Sequence, residues 1–432
     1  MSLPLLLCEG DPAATARALE AAWGAGQVVG LAAPAERERL AAALGAQAQG
    51  KVAAGGDPLA ELGAGVVVGS GGSSGARRWC LQPLAHLEGS ADAAGRWLGE
   101  QGIDPAACLH LDPLPLHHVS GLLPLVRCRR WGADLRWVPP GTMRRPAELA
   151  AAVPLPVDRP VLLSLVPTQL ERWMACPAGL EWLERCAVIW VGGAPLPRRT
   201  AEAARRRGLP LAPCYGATET AAMVCALPPQ RFLAGAQGCG PPLADVEVRR
   251  DPASGAVEVR CRRLSPGWLE DGVLRPLPRT GDGWWRSGDA GRLAPEGLVL
   301  EGRLDGAFHS GGETVFPEQL EARLLEVALA QGLPLAAVLV VPLEEAPWGH
   351  RPVALVRPLS GADIRPLLAG LERAVASWPA PERPRRWLIC EELHPGETGK
   401  WARSRWREWV LRRRGLEDPS GGVGFDRFGL GK

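Results

Sequence analysis

Between residues 63 and 207, short apolar runs alternate with segments of helical period, and that alternation admits few folds. The runs are 63–69, 108–111, 135–138, 161–166 and 187–191, with helical segments over 168–176 and 198–207. Strand then helix, repeated, gives a largely parallel sheet covered on both faces. Ligands of such sheets sit beyond the carboxyl ends of the strands. The segments at Ser70, His117, Pro167, Gly192 and Tyr215 all follow strands, so one crevice is expected to gather them.

The flanks read differently. The first 60 or so residues are Ala-rich and helical over 13–23 and 35–44, with an apolar run at 28–33 between them. No chemistry is legible there. From about Val246 the units become shorter strands and turns, which predicts a β-rich subdomain over about 244–303. The charged, Gly-containing stretch Glu301-Gly302-Arg303-Leu304-Asp305-Gly306 marks a boundary. Beyond it, strands at 337–341, 352–356 and 386–390 and helices at 317–329 and 364–377 suffice for a small α/β domain over 304–415. The Gly-rich stretch 416–432 is expected to be disordered. The expected fold class is α/β: a large N-terminal domain of doubly wound sheets plus a β-rich subdomain over 1–303, and a small mobile α/β C-terminal domain.

Net charge is +2, so nothing in the balance calls for nucleic acid or an anionic membrane surface. The 11 cysteines form no CxxC pair and match no zinc-site spacing, which fits a reducing cytoplasm. The first nine residues lack a basic region, against a signal peptide, and no run is long enough to span a bilayer. Oligomeric state is not legible. Of the 49 Lys and Arg residues only Lys51, Lys400 and Lys432 are lysines. Lys400 alone of these stands in a polar motif, Gly396-Glu397-Thr398-Gly399-Lys400.

Two loops carry residue types suited to phosphate. Ser70-Gly71-Gly72-Ser73-Ser74-Gly75-Ala76-Arg77-Arg78 offers backbone N–H groups, hydroxyls and guanidinium charge, although a Gly/Ser linker has the same composition. Tyr215-Gly216-Ala217-Thr218-Glu219-Thr220 joins the only tyrosine to two hydroxyls and a carboxylate. By itself it also reads as a polar turn closing a strand. Asp289 and Arg303 read equally as turn former and solvated charge, and His118 as a core histidine or a pocket residue.

Taken in order, these motifs, with Gly192-Gly193, Ser287-Gly288-Asp289 and Gly302-Arg303, resemble those of the adenylate-forming enzymes, the superfamily of acyl-CoA synthetases, adenylation domains and luciferases. The resemblance runs from about residue 63 to 403. It implies an acid-thiol ligase that uses ATP with Mg2+ and CoA as co-substrate. Ser70, Gly72, Ser73, Ser74 and Gly75 would wrap the β- and γ-phosphates, with Arg78 keeping the charge that ends the loop. Tyr215 would stack on adenine beside Gly192, Gly193, Ala194, Pro195 and Gly216. Thr218 would contact the α-phosphate, Glu219 would hold Mg2+, and Asp289 and Arg303 would reach the ribose. Lys400 would bridge the acid's carboxylate and the α-phosphate. Asp305 matches the hinge about which the small domain turns, and Gly311 and Gly312 would border the CoA tunnel. The phosphate loop departs from the pattern, with serines for threonines and Arg77-Arg78 for Pro-Lys.

Within the superfamily, Pro115-Leu116-His117-His118-Val119-Ser120-Gly121-Leu122, Val166-Pro167-Thr168-Gln169-Leu170 and Ser310-Gly311-Gly312-Glu313 look most like the o-succinylbenzoate-CoA ligases of menaquinone and phylloquinone biosynthesis. His118, Ser164, Thr168 and Gln169 would then line the acyl pocket, without one clear arginine for the substrate's second carboxylate. Another acyl- or aryl-CoA ligase, a carrier-loading adenylation enzyme and a non-catalytic nucleotide-binding relative remain open alternatives.

Overall fold

The computed structural model describes residues 4–45, 62–71, 78–395 and 401–417. Among them lie two six-stranded sheets, one of four strands and one of five. The strand runs of the alternating region after the first build the second sheet, whereas the run 63–69 joins the first. Its order is Ala222–Ala226, Leu211–Ala217, Val188–Val191, Val161–Leu165, Leu109–Asp112, Asp134–Trp137, parallel throughout except for the first pair. Side chains alternate along each strand, so the sheet carries two apolar faces. Leu163, Leu165, Ile189 and Val191 pack with Leu170, Trp173 and Leu183 of the helices Pro167–Met174 and Pro177–Glu184. Leu162, Val188, Trp190 and Ala212 face the opposite way, against Trp97 and Leu98 of the helix Leu84–Glu100.

The N-terminal residues complete the first sheet. Leu5–Leu7, Val28–Ala32 and Gly65–Ser70 run parallel, and Arg78–Pro83, Gly267–Glu270 and Val273–Pro276 follow antiparallel. Helices Pro12–Gly24 and Val119–Trp131 cover one face and Arg37–Leu44 the other. Leu84–Glu100 contributes to the cores of both large sheets, Leu87 and Ala91 to the first and Trp97 to the second, so it lies between them.

The third sheet is antiparallel: Val246–Arg250, Ala256–Cys261, Trp285–Ala294, Gly297–Arg303. The fourth carries Glu313–Val315, Phe308–Ser310, Gly349–Pro358 and Leu335–Glu345, with Arg386–Ile389 beside Gly349–Pro358. Helices Pro317–Ala330 and Ile364–Val375 cover one of its faces, and Trp406 and Val410 of the helix Arg403–Glu417 cover the other. This segment therefore has a core of its own.

One expectation is corrected locally. Tyr215 and Gly216 are not loop residues: the strand continues to Ala217, because Tyr215 points into the core shared with Met223, Val257 and Trp285. The turn begins only at Thr218. No helix among the described residues is long and apolar enough to cross a membrane, and all 11 cysteines are free.

Candidate functional site

Tyr215 is buried, and its hydroxyl donates to Asp289 Oδ2 at 2.8 Å. Asp289 stands on Trp285–Ala294 directly opposite Arg303 of the neighbouring strand. That register lets the Arg303 guanidinium donate to Asp289 Oδ1 at 3.1 Å and to both oxygens of Asp305 at 3.2 and 2.8 Å. A line of side chains thus runs from the second sheet through the third to the segment that leads into the C-terminal core. Burial and the neighbouring Asp289 hold the Tyr215 phenol well above its ordinary pKa, so it stays a donor. Burial opposes the charge on Arg303, but Asp305 and Asp289 outweigh it and keep the guanidinium charged.

The turn Thr218–Thr220 is held mainly through its carbonyls. Gln82 Nε2 donates to Thr218 O at 2.6 Å, Ser265 N to Glu219 O at 2.7 Å, and Arg263 to Thr220 O and, at 2.8 Å, Met223 O. Asp245 fixes Arg263 in turn, at 2.7 Å. Ala221 and Ala222 leave the turn at φ 50° and 73°, a conformation non-glycine residues adopt at a cost of about 1 kcal/mol or more each. Strain of this kind gathers at working sites. Gly216 is required by close approach: a Cβ there would lie 2.1 Å from Ala222 O across the hairpin.

Glu219 is buried, and Oε1 accepts from Trp268 Nε1 at 3.0 Å. Oε2 receives no hydrogen bond from a described residue. No group of three metal-ligating side chains exists among the described residues. A lone carboxylate with one free oxygen does fit a hydrated Mg2+ whose other ligands are phosphate oxygens and water.

Ser70 is buried at the end of Gly65–Ser70, in register with Arg78 at the start of the next strand. The two ends of the glycine-serine segment are therefore fixed side by side. Gly72, Ser73, Ser74 and Gly75 lie outside the described residues, as does Lys400. Gly192 and Gly193 follow Val188–Val191, with Ala194 and Pro195 next. Gly193 has φ 81°, and Gly192 abuts Cys214, the neighbour of Tyr215. Gly192 and Tyr215 thus lie at neighbouring strand ends of the second sheet, and Ser70 ends a strand of the first.

Of the residues expected to line an acyl pocket, His118 precedes Val119–Trp131 with its ring 4.4 Å from that of His117. Thr168 and Gln169 open the helix Pro167–Met174, where Gln169 Oε1 accepts from Val166 N at 3.1 Å, leaving its amide nitrogen for a ligand. Ser164 is the register partner of Trp190. Over that same sheet face lies a residue the sequence reading missed. Arg127, only 4% exposed, places its guanidinium 4.7 Å over the Trp190 ring, and its Nε has no partner among the described residues. Both His110 ring nitrogens and Asp112 Oδ2 nearby are likewise unpartnered. Burial lowers the Arg127 pKa to about 10, so it remains a cation at neutral pH, while burial and Arg127 lower that of His110, which is neutral. The one available signal was a charge inside the apolar stretch Leu122 to Cys128.

In the C-terminal segment Gly311 and Gly312 form the turn between Phe308–Ser310 and Glu313–Val315, and Gly311 N donates to Trp348 O at 2.9 Å. Arg403, three positions after Lys400, donates to Glu321 and pairs with Glu318 at 3.1 Å.

Residues 93–258 match the model of the AMP-binding enzyme family. The described chain also shares its fold with the o-succinylbenzoate CoA synthetase of Bacillus subtilis in complex with the acyl-adenylate intermediate OSB-AMP. The TM-score is 0.74 at 20% identity, covering 94% of this chain and 88% of that one. Among curated relatives, the 2-succinylbenzoate–CoA ligase of Salmonella typhimurium is 32% identical over 302 residues, 69% of this chain and 59% of that protein. That of Escherichia coli is 30% identical over 305 residues, 69% and 60%. The chain thus spans about three fifths of the length of these relatives.

Proposed function

We propose that the chain is an ATP-dependent acid-CoA ligase that converts o-succinylbenzoate, ATP and CoA to o-succinylbenzoyl-CoA, AMP and pyrophosphate, a step of menaquinone or phylloquinone biosynthesis. The line Tyr215–Asp289–Arg303–Asp305 carries this reading, because it joins an aromatic base platform, a ribose acceptor and a hinge in one hydrogen-bonded unit. The names of the relatives support the acid.

The acid's carboxylate oxygen attacks the α-phosphorus, and the bond from that phosphorus to the β-phosphate bridging oxygen breaks, so pyrophosphate leaves with the electron pair. The nucleophile is already ionised, so the site needs alignment and charge neutralisation rather than a base. Tyr215 and the turn at Gly192, Gly193, Ala194 and Pro195 seat adenine beside Gly216. Asp289 accepts from the ribose hydroxyls, with Arg303 alongside. Thr218 contacts the α-phosphate, and Ser70, Gly72, Ser73, Ser74, Gly75 and Arg78 surround the β- and γ-phosphates. Glu219 would hold Mg2+ through its free oxygen, and the metal would supply neutralisation of charge on the phosphates. Lys400 bridges acid and α-phosphate, an assignment that rests on the family resemblance. The CoA thiolate then attacks the acyl carbon and AMP departs, after rotation about Asp305 has brought Gly311 and Gly312 to the thiol.

Arg127 supplies the cation that the sequence reading lacked. With His118, Ser164, Thr168 and Gln169 around the acyl group, its guanidinium, whose Nε has no partner among the described residues, receives the second carboxylate. The compartment is cytoplasmic, in keeping with 11 free thiols. Pyrophosphate release measured across a panel of aryl and aliphatic acids, with the thioester confirmed by mass, tests the reading. A preference for o-succinylbenzoate is the expected result, and turnover only of other acids removes the substrate assignment.

A further inference from the structure

We infer that Trp268 is a positioning residue that fixes the carboxylate of Glu219 for the metal and ties it to the end of the phosphate loop; the inference rests on the metal-holding role proposed for Glu219. Trp268 stands on Gly267–Glu270, paired in register with Cys80 of the strand that begins at Arg78. Its ring is buried, and its two polar capacities are used on opposite partners. The indole N–H donates to Glu219 Oε1 at 3.0 Å, and the Arg78 guanidinium lies 4.6 Å from the ring centroid.

A buried carboxylate with both oxygens free rotates about its terminal torsion, which has broad wells. One N–H on Oε1 removes that freedom and leaves Oε2 as the metal-facing oxygen. The backbone of Glu219 is independently fixed through Ser265, so the indole governs the carboxylate alone. The cation over the ring polarises the indole and strengthens its N–H as a donor.

The test compares wild type with Trp268→Phe and with Trp268 replaced by benzothienylalanine, which keeps the bicyclic shape and lacks the N–H. Manganese affinity of the enzyme–ATP complex is read by water-proton relaxation, and metal-free ATP binding by calorimetry. Loss of a hydrogen bond to a charged group predicts about tenfold weaker manganese binding in both variants, with metal-free ATP affinity unchanged. Wild-type manganese affinity in the benzothienyl variant overturns the inference, because that variant preserves packing. Glu219→Gln separates the two levels: if it too retains manganese, the metal role of Glu219 fails and not merely that of Trp268.

Discussion

Tyr215 and Asp289, 74 positions apart, share a 2.8 Å hydrogen bond that joins the second, mostly parallel sheet to the smaller antiparallel one. With Arg303 on its other oxygen, Asp289 is held at both ends before any nucleotide arrives. Such prior alignment lowers the ordering cost of binding.

Tyr215→Phe keeps the ring and removes the donor. We expect AMP affinity to fall about tenfold, the loss appropriate to one hydrogen bond to a charged acceptor. Asp289→Ala should cost more, because it also strands part of Arg303. Calorimetric titration with AMP reads both, and unchanged affinity in Asp289→Ala would remove it from the seat.

Arg127→Met replaces a buried cation by a side chain of similar reach. Turnover of o-succinylbenzoate should fall about a hundredfold in kcat/KM, whereas a benzoate-type monoacid should lose little, since only the diacid has the second charge. The ratio between the two acids is the measurement. Equal losses on both would make Arg127 a packing residue.

Asp305→Ala frees Arg303 from one of its two carboxylates. The half-reactions should separate: pyrophosphate release stays within about threefold, and transfer to CoA slows about tenfold or more. Rapid-quench measurement of each step checks this, and proportional slowing of both would count against a hinge role.

Gly216→Ala places a methyl 2.1 Å from Ala222 O, so the hairpin must open. A cost of about 2 kcal/mol or more in stability, read from denaturant unfolding, is expected together with weaker AMP binding.

Arg403→Met leaves Glu321 buried without its cation, and the remaining bond from Val340 N at 2.7 Å does not neutralise it. Breaking one half of a buried pair costs about 3–5 kcal/mol. The loss should appear as early unfolding of the C-terminal segment, which limited proteolysis can follow.

Much of the fold was legible because strand runs such as 161–166 and 187–191 are short, apolar and separated by helical periods. Of the residues expected at the site, Tyr215, Asp289 and Arg303 form one bonded line, and Ser70 and Gly192 each stand at the end of a strand. What stayed hidden depends on pairing between distant segments. Nothing near Trp268 in the chain tells that it touches Glu219, and among 17 tryptophans no ring stands out. Arg127 was hidden for a related reason, since a charged residue in a helix is ordinarily solvated. Only the sheet packed against that helix makes it buried. The extent of the strand carrying Tyr215 was likewise set by the core it enters and not by local preference.

Arg303 answers to two carboxylates, Asp289 and Asp305, and on the roles proposed for them one is in the seat and one at the joint. A ribose that draws Asp289 toward its hydroxyls changes what remains for Asp305, and a turn at Asp305 changes what remains for Asp289. Occupancy and orientation therefore bid for a single cation, and linkage makes the exchange symmetric: whatever factor the nucleotide imposes on the joint, the joint imposes on the nucleotide. Release of AMP and the return swing are on this account two readings of one equilibrium, poised on one guanidinium.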